Sequence, residues 1–593
     1  MDIDALKKKY AEERDKRLRE DGNDQYVRME GSHAHYLDDP YVAFEPRDPV
    51  TDHVTVAFIG GGYAGLVTGA RLAEAGIADF RVIEKGGDFG GTWYWNRYPG
   101  AMCDTASMIY MPLLEETDYM PREKYARAPE ILEHCRRIGK QFNLYDNALF
   151  HTRVTALDWE EEAGAWRIRT DRGDAFTAQF VITGTGPLHV PKLPGIPGLD
   201  TFKGHAFHTS RWDYDYTGGD ETGAPMAKLA DKRVALIGTG ATAVQCVPPL
   251  ASACQSLYVC QRTPSSVDVR SNEALDPQWY AEATAEPGWQ KNWMENFTRN
   301  MTGQSDGTDL IGDGWTDLAR NFLGKIMQLP DKLNSDPVTL MQAFEDADFE
   351  KMDEIRARVD AVVEDPATAE KLKAWYRQLC KRPCFHDEYL QAFNRDSTVL
   401  LDTDGKGVER ITETGVVVGG KEYAVDCIIY ATGFEIGTEL VDRAGFEVTG
   451  RDGIKLSEYW EKGMRTLHGI NVHHFPNKFR VQPTQAANFI ANVPHNIVES
   501  AQTIALTIKH ALDNGYQTVE PTQEAQDAWL ALLANSPQML ANLDCTPGYY
   551  NNEGQPLPEE AGAYVGHPGG AMAYFRYIEQ WRDSGQFEGL EFA

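Results

Sequence analysis

The sequence predicts an α/β protein with two Rossmann-like dinucleotide-binding domains and a helical insertion. Three observations carry that expectation. Gly60-Gly61-Gly62-Tyr63-Ala64-Gly65 follows an apolar, β-rich run and opens a helical pattern. Gly238-Thr239-Gly240-Ala241-Thr242-Ala243 does the same further along. Between about 270 and 380 the chain turns to charged, Ala/Glu/Asp/Trp-rich segments of helical periodicity. At 593 residues it is too long for one ordinary core.

The elements follow in order. Residues 1–50 read as an N-terminal helical arm, with Leu6, Tyr10 and Leu18 as a thin apolar stripe and a break at Asp21-Gly22-Asn23-Asp24. This arm is expected to lie on the first domain and to carry no chemistry. Residues 51–190 form the first part of the first nucleotide domain, with a strand over Val54–Ile59, a helix over Leu66–Ala75 and a strand over Phe80–Ile83 that ends at Glu84. Residues 191–267 begin the second domain, with a strand over Arg233–Ile237, a helix to about Ala253 and a strand over Leu257–Cys260. The insertion spans 268–378. Residues 379–433 complete the second domain, and 434–593 return to the first, with helices over Ile497–Leu512 and Thr522–Leu533.

Each loop carries a chemical expectation. Gly60, Gly62 and Gly65 allow a tight turn and a close approach of backbone to a pyrophosphate at a helix N-terminus. Glu84 stands where a carboxylate can accept hydrogen bonds from a ribose, and there it would repel a 2′-phosphate, so FAD or NAD fits the first loop. In the second loop Gly238, Thr239, Gly240 and Ala243 give the G-x-G-x-x-A variant, and the following strand ends in Gln261-Arg262-Thr263. A cation at that place favours the 2′-phosphate of NADPH.

Composition narrows the partners. A net charge of −31 repels nucleic acid and anionic membranes, no apolar run reaches the ~20 residues of a membrane span, and Met1-Asp2-Ile3-Asp4 with the charged stretch after it is expected to be neither a signal nor a transit peptide. A cytoplasmic protein acting on small molecules is the simple expectation. The nine cysteines include no C-x-x-C and no Cys/His cluster of zinc spacing, so reduced, inert thiols and no metal are expected.

Three further stretches specify the reaction. Phe202, Gly204, His208, Trp212 and Asp213 form F-x-G-x-x-x-H-x-x-x-W-D between the two loops. Gly90 to Asp104 (G-G-T-W-Y-W-N-R-Y-P-G-A-M-C-D) contains Thr92, Trp93 and Tyr98 and is followed by Tyr110. Cys380-Lys381-Arg382-Pro383 adds a Lys–Arg pair, and Asp426 to Phe434 an A-T-G segment. Over residues 50–593 this pattern resembles type I Baeyer–Villiger monooxygenases. The resemblance implies FAD, NADPH and O2 as reactants with a ketone, a flavin C4a-peroxide as oxidant, and an ester or lactone as product. It implies Asp104 and Arg382 as catalytic residues; Lys381 would join Arg262 and Thr263 at the coenzyme phosphate, and Thr92, Trp93, Tyr98, Asp104 and Tyr110 would line the flavin side. It also implies movement between the nucleotide domains. A lone histidine is more often structural than catalytic, so His208 is expected to set the geometry of the connector.

Thr546 to Gly554 stands where many members carry a tryptophan-containing loop; with the arm, it is most similar to the large-ring subgroup acting on cyclododecanone and cyclopentadecanone. The alternatives are an enzyme for smaller ketones, a flavin monooxygenase oxidising nitrogen or sulfur, and a nucleotide-sensing protein without catalysis. A disulfide reductase would need a cysteine pair where only Cys103 lies. The sequence leaves the oligomeric state open, and a monomer satisfies it.

Overall fold

Helix α1 (Ile3–Asp15) begins the chain in the computed structural model, which describes residues 3–327, 336–436, 444–482, 484–487, 492–536, 544–556 and 566–593. Strand β1 (His53–Ile59), helix α2 (Tyr63–Glu74) and strand β2 (Phe80–Ile83) make a parallel βαβ unit, with Val56 opposite Phe80 and Ile59 opposite Ile83. Strand β1 ends in four consecutive buried residues, as expected for a strand covered on both faces. Strand β3 (Ala148–Leu149) extends the sheet beyond β2, and β4 (Val154–Glu160), β5 (Ala165–Thr170) and β6 (Ala175–Thr183) form an antiparallel meander that joins it through β6 and β1.

The second sheet is wholly parallel. It contains β7 (His205–His208), β8 (Arg233–Ile237), β9 (Ser256–Gln261), β10 (Thr398–Asp402) and β11 (Cys427–Tyr430), in the order β10-β9-β8-β11-β7. Helix α3 (Ala241–Ala253) connects β8 to β9. Two strands then return to the first sheet: β12 (Glu447–Thr449) beside β4, and β13 (Lys478–Arg480) beside the C-terminal half of β6.

The F-x-G-x-x-x-H-x-x-x-W-D stretch supplies the edge strand of the second sheet, with His208 opposite Tyr430. A side chain at Gly204 would bring its Cβ 2.7 Å from the Asp426 carbonyl oxygen and against the ring of Phe202. His208 is fully buried; its Nδ1 accepts from the Ser210 amide, and burial pushes its pKa down to about 3, so it stands neutral. Trp212 is 1 % exposed and its indole N–H donates to Thr217. Asp213 caps the next turn at Tyr216 and pairs with His205. The two chain segments that cross between the sheets run side by side: Lys192 donates its amide to the Gly433 carbonyl, Thr432 donates its hydroxyl to the Lys192 carbonyl, and Glu435 donates to Val190.

The region read as an insertion in the second domain packs on both. Helix α4 (Trp289–Met301) places Trp289, Trp293 and Phe297 in the core of the first domain, together with Trp315 of α5 (Gly314–Met327). Burying Phe297, 1 % exposed, contributes about 2 kcal/mol. Helix α6 (Pro337–Val362) instead sends Val359 into the core of the second. The long helix α7 (Val493–Asn514) lies along α2.

The arm meets expectation in its later part, where Arg47 pairs with Asp174 and Asp39 accepts from the Gly87 amide of the first domain, but not in its helix. Leu6 and Tyr10 are buried, but Leu18 lies beyond the helix and is exposed. Helix α1 rests on the insertion rather than on the first domain: Tyr10 meets Phe349 edge to face and accepts from Arg356, and Lys7 pairs with Glu345. Among the described residues no helix is long and apolar enough to cross a membrane.

Candidate active site

The first glycine loop closes only as glycine. A Cβ on Gly65 would lie 2.1 Å from the Gly60 carbonyl oxygen, so the helix could not start so close to the strand. Glu84 is buried at the end of β2; its two oxygens accept the Gly61 amide at 2.5 Å and the Gly86 amide at 2.7 Å, and burial holds its pKa above the usual carboxylate value. Gly91, at φ 53°, brings the chain against this loop: a Cβ there would sit 2.6 Å from the Gly62 Cα. Thr92 then begins a short helix, which buries Trp93 and directs its indole N–H to the Tyr110 hydroxyl at 3.0 Å.

In the second loop Gly240 faces open space, and Thr239 donates its hydroxyl to the Thr263 carbonyl at 2.6 Å. Ala243 is fully buried, so this turn admits the methyl group that the first would reject. Arg262, at the end of β9, donates to Gln25 at 2.6 Å and lies 3.5 Å from the Glu553 carboxylate. Lys381 donates to the Pro547 carbonyl at 2.7 Å; burial, with the charge of Arg262, pushes its pKa down to about 7. Arg17 of the arm donates Nε to both the Arg262 carbonyl and the Thr263 hydroxyl at 3.1 Å. The arm expected to carry no chemistry therefore reaches the residues assigned to the coenzyme phosphate.

Asp104, at the end of the Gly90–Asp104 stretch, and Arg382, 278 residues further on, meet across the fold. Arg382 donates Nε and Nη2 to the two carboxylate oxygens at 2.9 and 2.6 Å, a bidentate pair. Burial would raise the pKa of Asp104, but the charge and hydrogen bonds of Arg382 overrule it and the carboxyl sits below its usual value. The same pairing raises Arg382 well above its ordinary value against the opposing effect of burial. Arg382 keeps 27 % of its side chain exposed, and the Tyr550 hydroxyl bears on its guanidinium.

Three residues not singled out from the sequence complete this pair. Trp315 donates its indole N–H to the Asp104 carbonyl at 2.8 Å and lies 5.0 Å from the Arg382 guanidinium. Arg270 donates to the Cys103 and Phe385 carbonyls, and its charge also lowers Asp104. Gln245 on α3 accepts from the Tyr98 hydroxyl at 2.9 Å and donates to the Met102 carbonyl at 2.8 Å, tying the Tyr98–Asp104 segment to the second domain. Tyr549 and Tyr550 pack together beside Arg382.

The chain is 47% identical over 598 residues to neopentalenolactone D synthase of Streptomyces avermitilis, covering 100% of this chain and 99% of that one. It is 47% identical over 592 residues to a Baeyer–Villiger monooxygenase of Streptomyces coelicolor, covering 99% and 96%. The chain belongs to the Baeyer–Villiger monooxygenase family. Its fold superposes on the polycyclic ketone monooxygenase of Thermothelomyces thermophila with a TM-score of 0.91 at 37% identity, covering 100% and 99%. It also matches OTEMO in complex with FAD and NADP, with a TM-score of 0.72 at 26% identity, covering 92% and 100%. Residues 57–277 match the family model described as pyridine nucleotide-disulphide oxidoreductase. That description reflects the shared nucleotide fold, since Cys103 is a buried free thiol without a cysteine partner.

The enzyme is therefore an FAD- and NADP-dependent Baeyer–Villiger monooxygenase that inserts one oxygen atom beside a ketone carbonyl. The residues present fit both cofactors: a buried carboxylate at the end of β2 suits an unphosphorylated ribose, and a cationic turn at the end of β9 suits a phosphorylated one.

One expectation is overturned. Cys380 and Cys545 form a disulfide across 165 residues, although all nine cysteines were expected as reduced thiols. The bridge ties the Thr546–Gly554 segment directly to the Lys381–Arg382 pair. Closing a loop of that length contributes about 5 kcal/mol in the chain-entropy account. Reduction, or Cys545→Ser, is expected to lower the melting temperature by several degrees; an unchanged melting curve would show that the bridge adds no stability. Elsewhere His473, His474 and Glu520 come within metal-binding range of one another, but Glu520 already accepts from Arg451 and the His474 amide.

Proposed function

We propose that this Baeyer–Villiger monooxygenase acts on bulky ketones, polycyclic or large-ring, and that Arg382 and Asp104 form its catalytic pair. The observation that carries the assignment is the bidentate Asp104–Arg382 pair, backed by the Trp315 indole and the charge of Arg270. FAD, when bound, supplies hydride acceptance and oxygen activation. Arg382 stays cationic throughout and stabilises the negative charge that builds on the ketone oxygen. Asp104 fixes the plane of the guanidinium, and Trp315 covers its side. Glu84 binds the adenosine ribose of FAD, while Arg262, Thr263 and Lys381 bind the 2′-phosphate of NADPH.

The bulky substrate class is supported by the polycyclic ketone monooxygenase at a TM-score of 0.91 and by the neopentalenolactone D synthase. Purified, FAD-loaded enzyme should consume NADPH faster with a fused-ring ketone or cyclododecanone than with cyclohexanone, giving a lactone one oxygen heavier. Equal stimulation by cyclohexanone would remove the size preference.

Lys381 sets a pH dependence. With its pKa near 7 in the free enzyme, the ammonium is present below that value and lost above it. A bound phosphate dianion stabilises the ammonium, so binding takes up a proton above pH 7. Affinity for 2′,5′-ADP should fall as pH rises from 7 to 9, by up to about tenfold per unit. Lys381→Arg, charged throughout, should flatten the decline; calorimetric titrations that run parallel for the two proteins would remove Lys381 from the phosphate site.

A further inference from the structure

The turn from Tyr549 to Gly554 aims a carboxylate into the cluster of cations assigned to the coenzyme phosphate. Asn552, Glu553 and Gly554 all stand at positive φ, 51°, 53° and 80°. Two consecutive non-glycine residues in the left-handed region are costly, and such backbone persists where the surroundings enforce it. The result here is a Glu553 side chain only 5 % exposed. One carboxylate oxygen accepts from the Tyr26 hydroxyl at 3.1 Å. The other is buried, receives no hydrogen bond among the described residues, and lies 3.5 Å from Arg262 Nη2. Glu553 also bears on Lys381 and Lys192, whose pKa values burial depresses and its charge raises. Arg17, whose charge also acts on Lys381, holds the turn that carries Arg262 and Thr263.

A buried carboxylate with an oxygen short of donors, facing two arginine-and-lysine positions expected to bind a dianion, has the chemistry of the ligand itself. Resting on the phosphate-site reading above, we propose that Glu553 is an internal stand-in for the 2′-phosphate of NADPH. It neutralises Arg262, with its charge also bearing on Lys381, until the phosphate replaces it. Glu553 thereby determines how strongly the enzyme discriminates phosphorylated from unphosphorylated nicotinamide nucleotides. Phosphate and carboxylate cannot share the same two cations without repulsion, so removing the carboxylate charge favours the phosphate.

The test is the ratio of the dissociation constants for ADP and 2′,5′-ADP, measured by calorimetry on the full-length, FAD-loaded enzyme. Glu553→Gln should bind 2′,5′-ADP at least about fivefold tighter while ADP stays within twofold, so the ratio rises. Gln25→Glu adds a second carboxylate at Arg262 and should lower the ratio, which keeps the test open if Glu553→Gln folds poorly. An unchanged or lowered ratio in Glu553→Gln, or an unchanged ratio in Gln25→Glu, overturns the stand-in role. If Arg262→Ala/Lys381→Ala collapses the ratio while Glu553→Gln leaves it unchanged, the phosphate site stands and Glu553 merely orients Arg262. If neither changes it, the phosphate-site reading itself falls.

Discussion

Arg382→Ala is expected to lower the rate of lactone formation by about 10³-fold or more, the size of effect that removal of one preorganised donor to a developing oxyanion produces. FAD content and the melting temperature should change little by comparison, because the partner Asp104 retains Arg270 as a nearby cation. Asp104→Ala should also be strongly impaired, since Arg382 then loses both oxygens that fix its plane. The double variant should be scarcely worse than Arg382→Ala, because two residues acting as one unit are not additive. Normal lactone yield from Arg382→Ala, with NADPH consumption still coupled to product, would end the assignment. Product yield by mass spectrometry and peroxide release, measured together, distinguish lost chemistry from lost coupling.

The second large effect concerns the coenzyme. Replacing Arg262 and Lys381 together by alanine removes two charge-assisted contacts to the 2′-phosphate. At roughly 1.5 kcal/mol or more each, the loss is on the order of 10²-fold in kcat/KM for NADPH. NADH, which has no 2′-phosphate, should be affected about twofold at most. Equal losses with both coenzymes would place these residues elsewhere than at the phosphate, whatever the effect on overall rate.

How much of this was legible in the sequence depends on distance along the chain. The two loops, β2 with Glu84 and β9 with Arg262 are local patterns: a strand, a turn and a helix within about thirty residues, and each element formed close to its expected bounds. Asp104 and Arg382 were reached through the family resemblance alone, since no spacing rule joins residues so far apart. Trp315, Arg270 and Gln245 escaped because their partners lie across the fold, although Gln245, on α3, sits only two residues beyond Ala243, the end of a motif already identified. The helix of the arm was misplaced for the same reason. Its apolar stripe is real at Leu6 and Tyr10, but what it packs against, Phe349 and Arg356, carries no local signal. The Cys380–Cys545 bridge links two cysteines with no characteristic spacing, and Glu553 draws its meaning from a backbone conformation that composition does not reveal.

The paired crossings between the two sheets have a mechanical consequence. The outgoing segment at Val190–Lys192 and the returning one at Thr432–Glu435 are fastened to each other by backbone and hydroxyl hydrogen bonds. Two strips joined edge to edge form a ribbon, and a ribbon flexes readily across its thin dimension while resisting shear and twist. Any displacement of one nucleotide domain against the other would therefore be smallest at this strap, and the insertion that packs on both domains would have to yield with it. The rings of His208 and Phe434 meet edge to face beside the strap, 5.5 Å apart, and mark the place where the two sheets are held together.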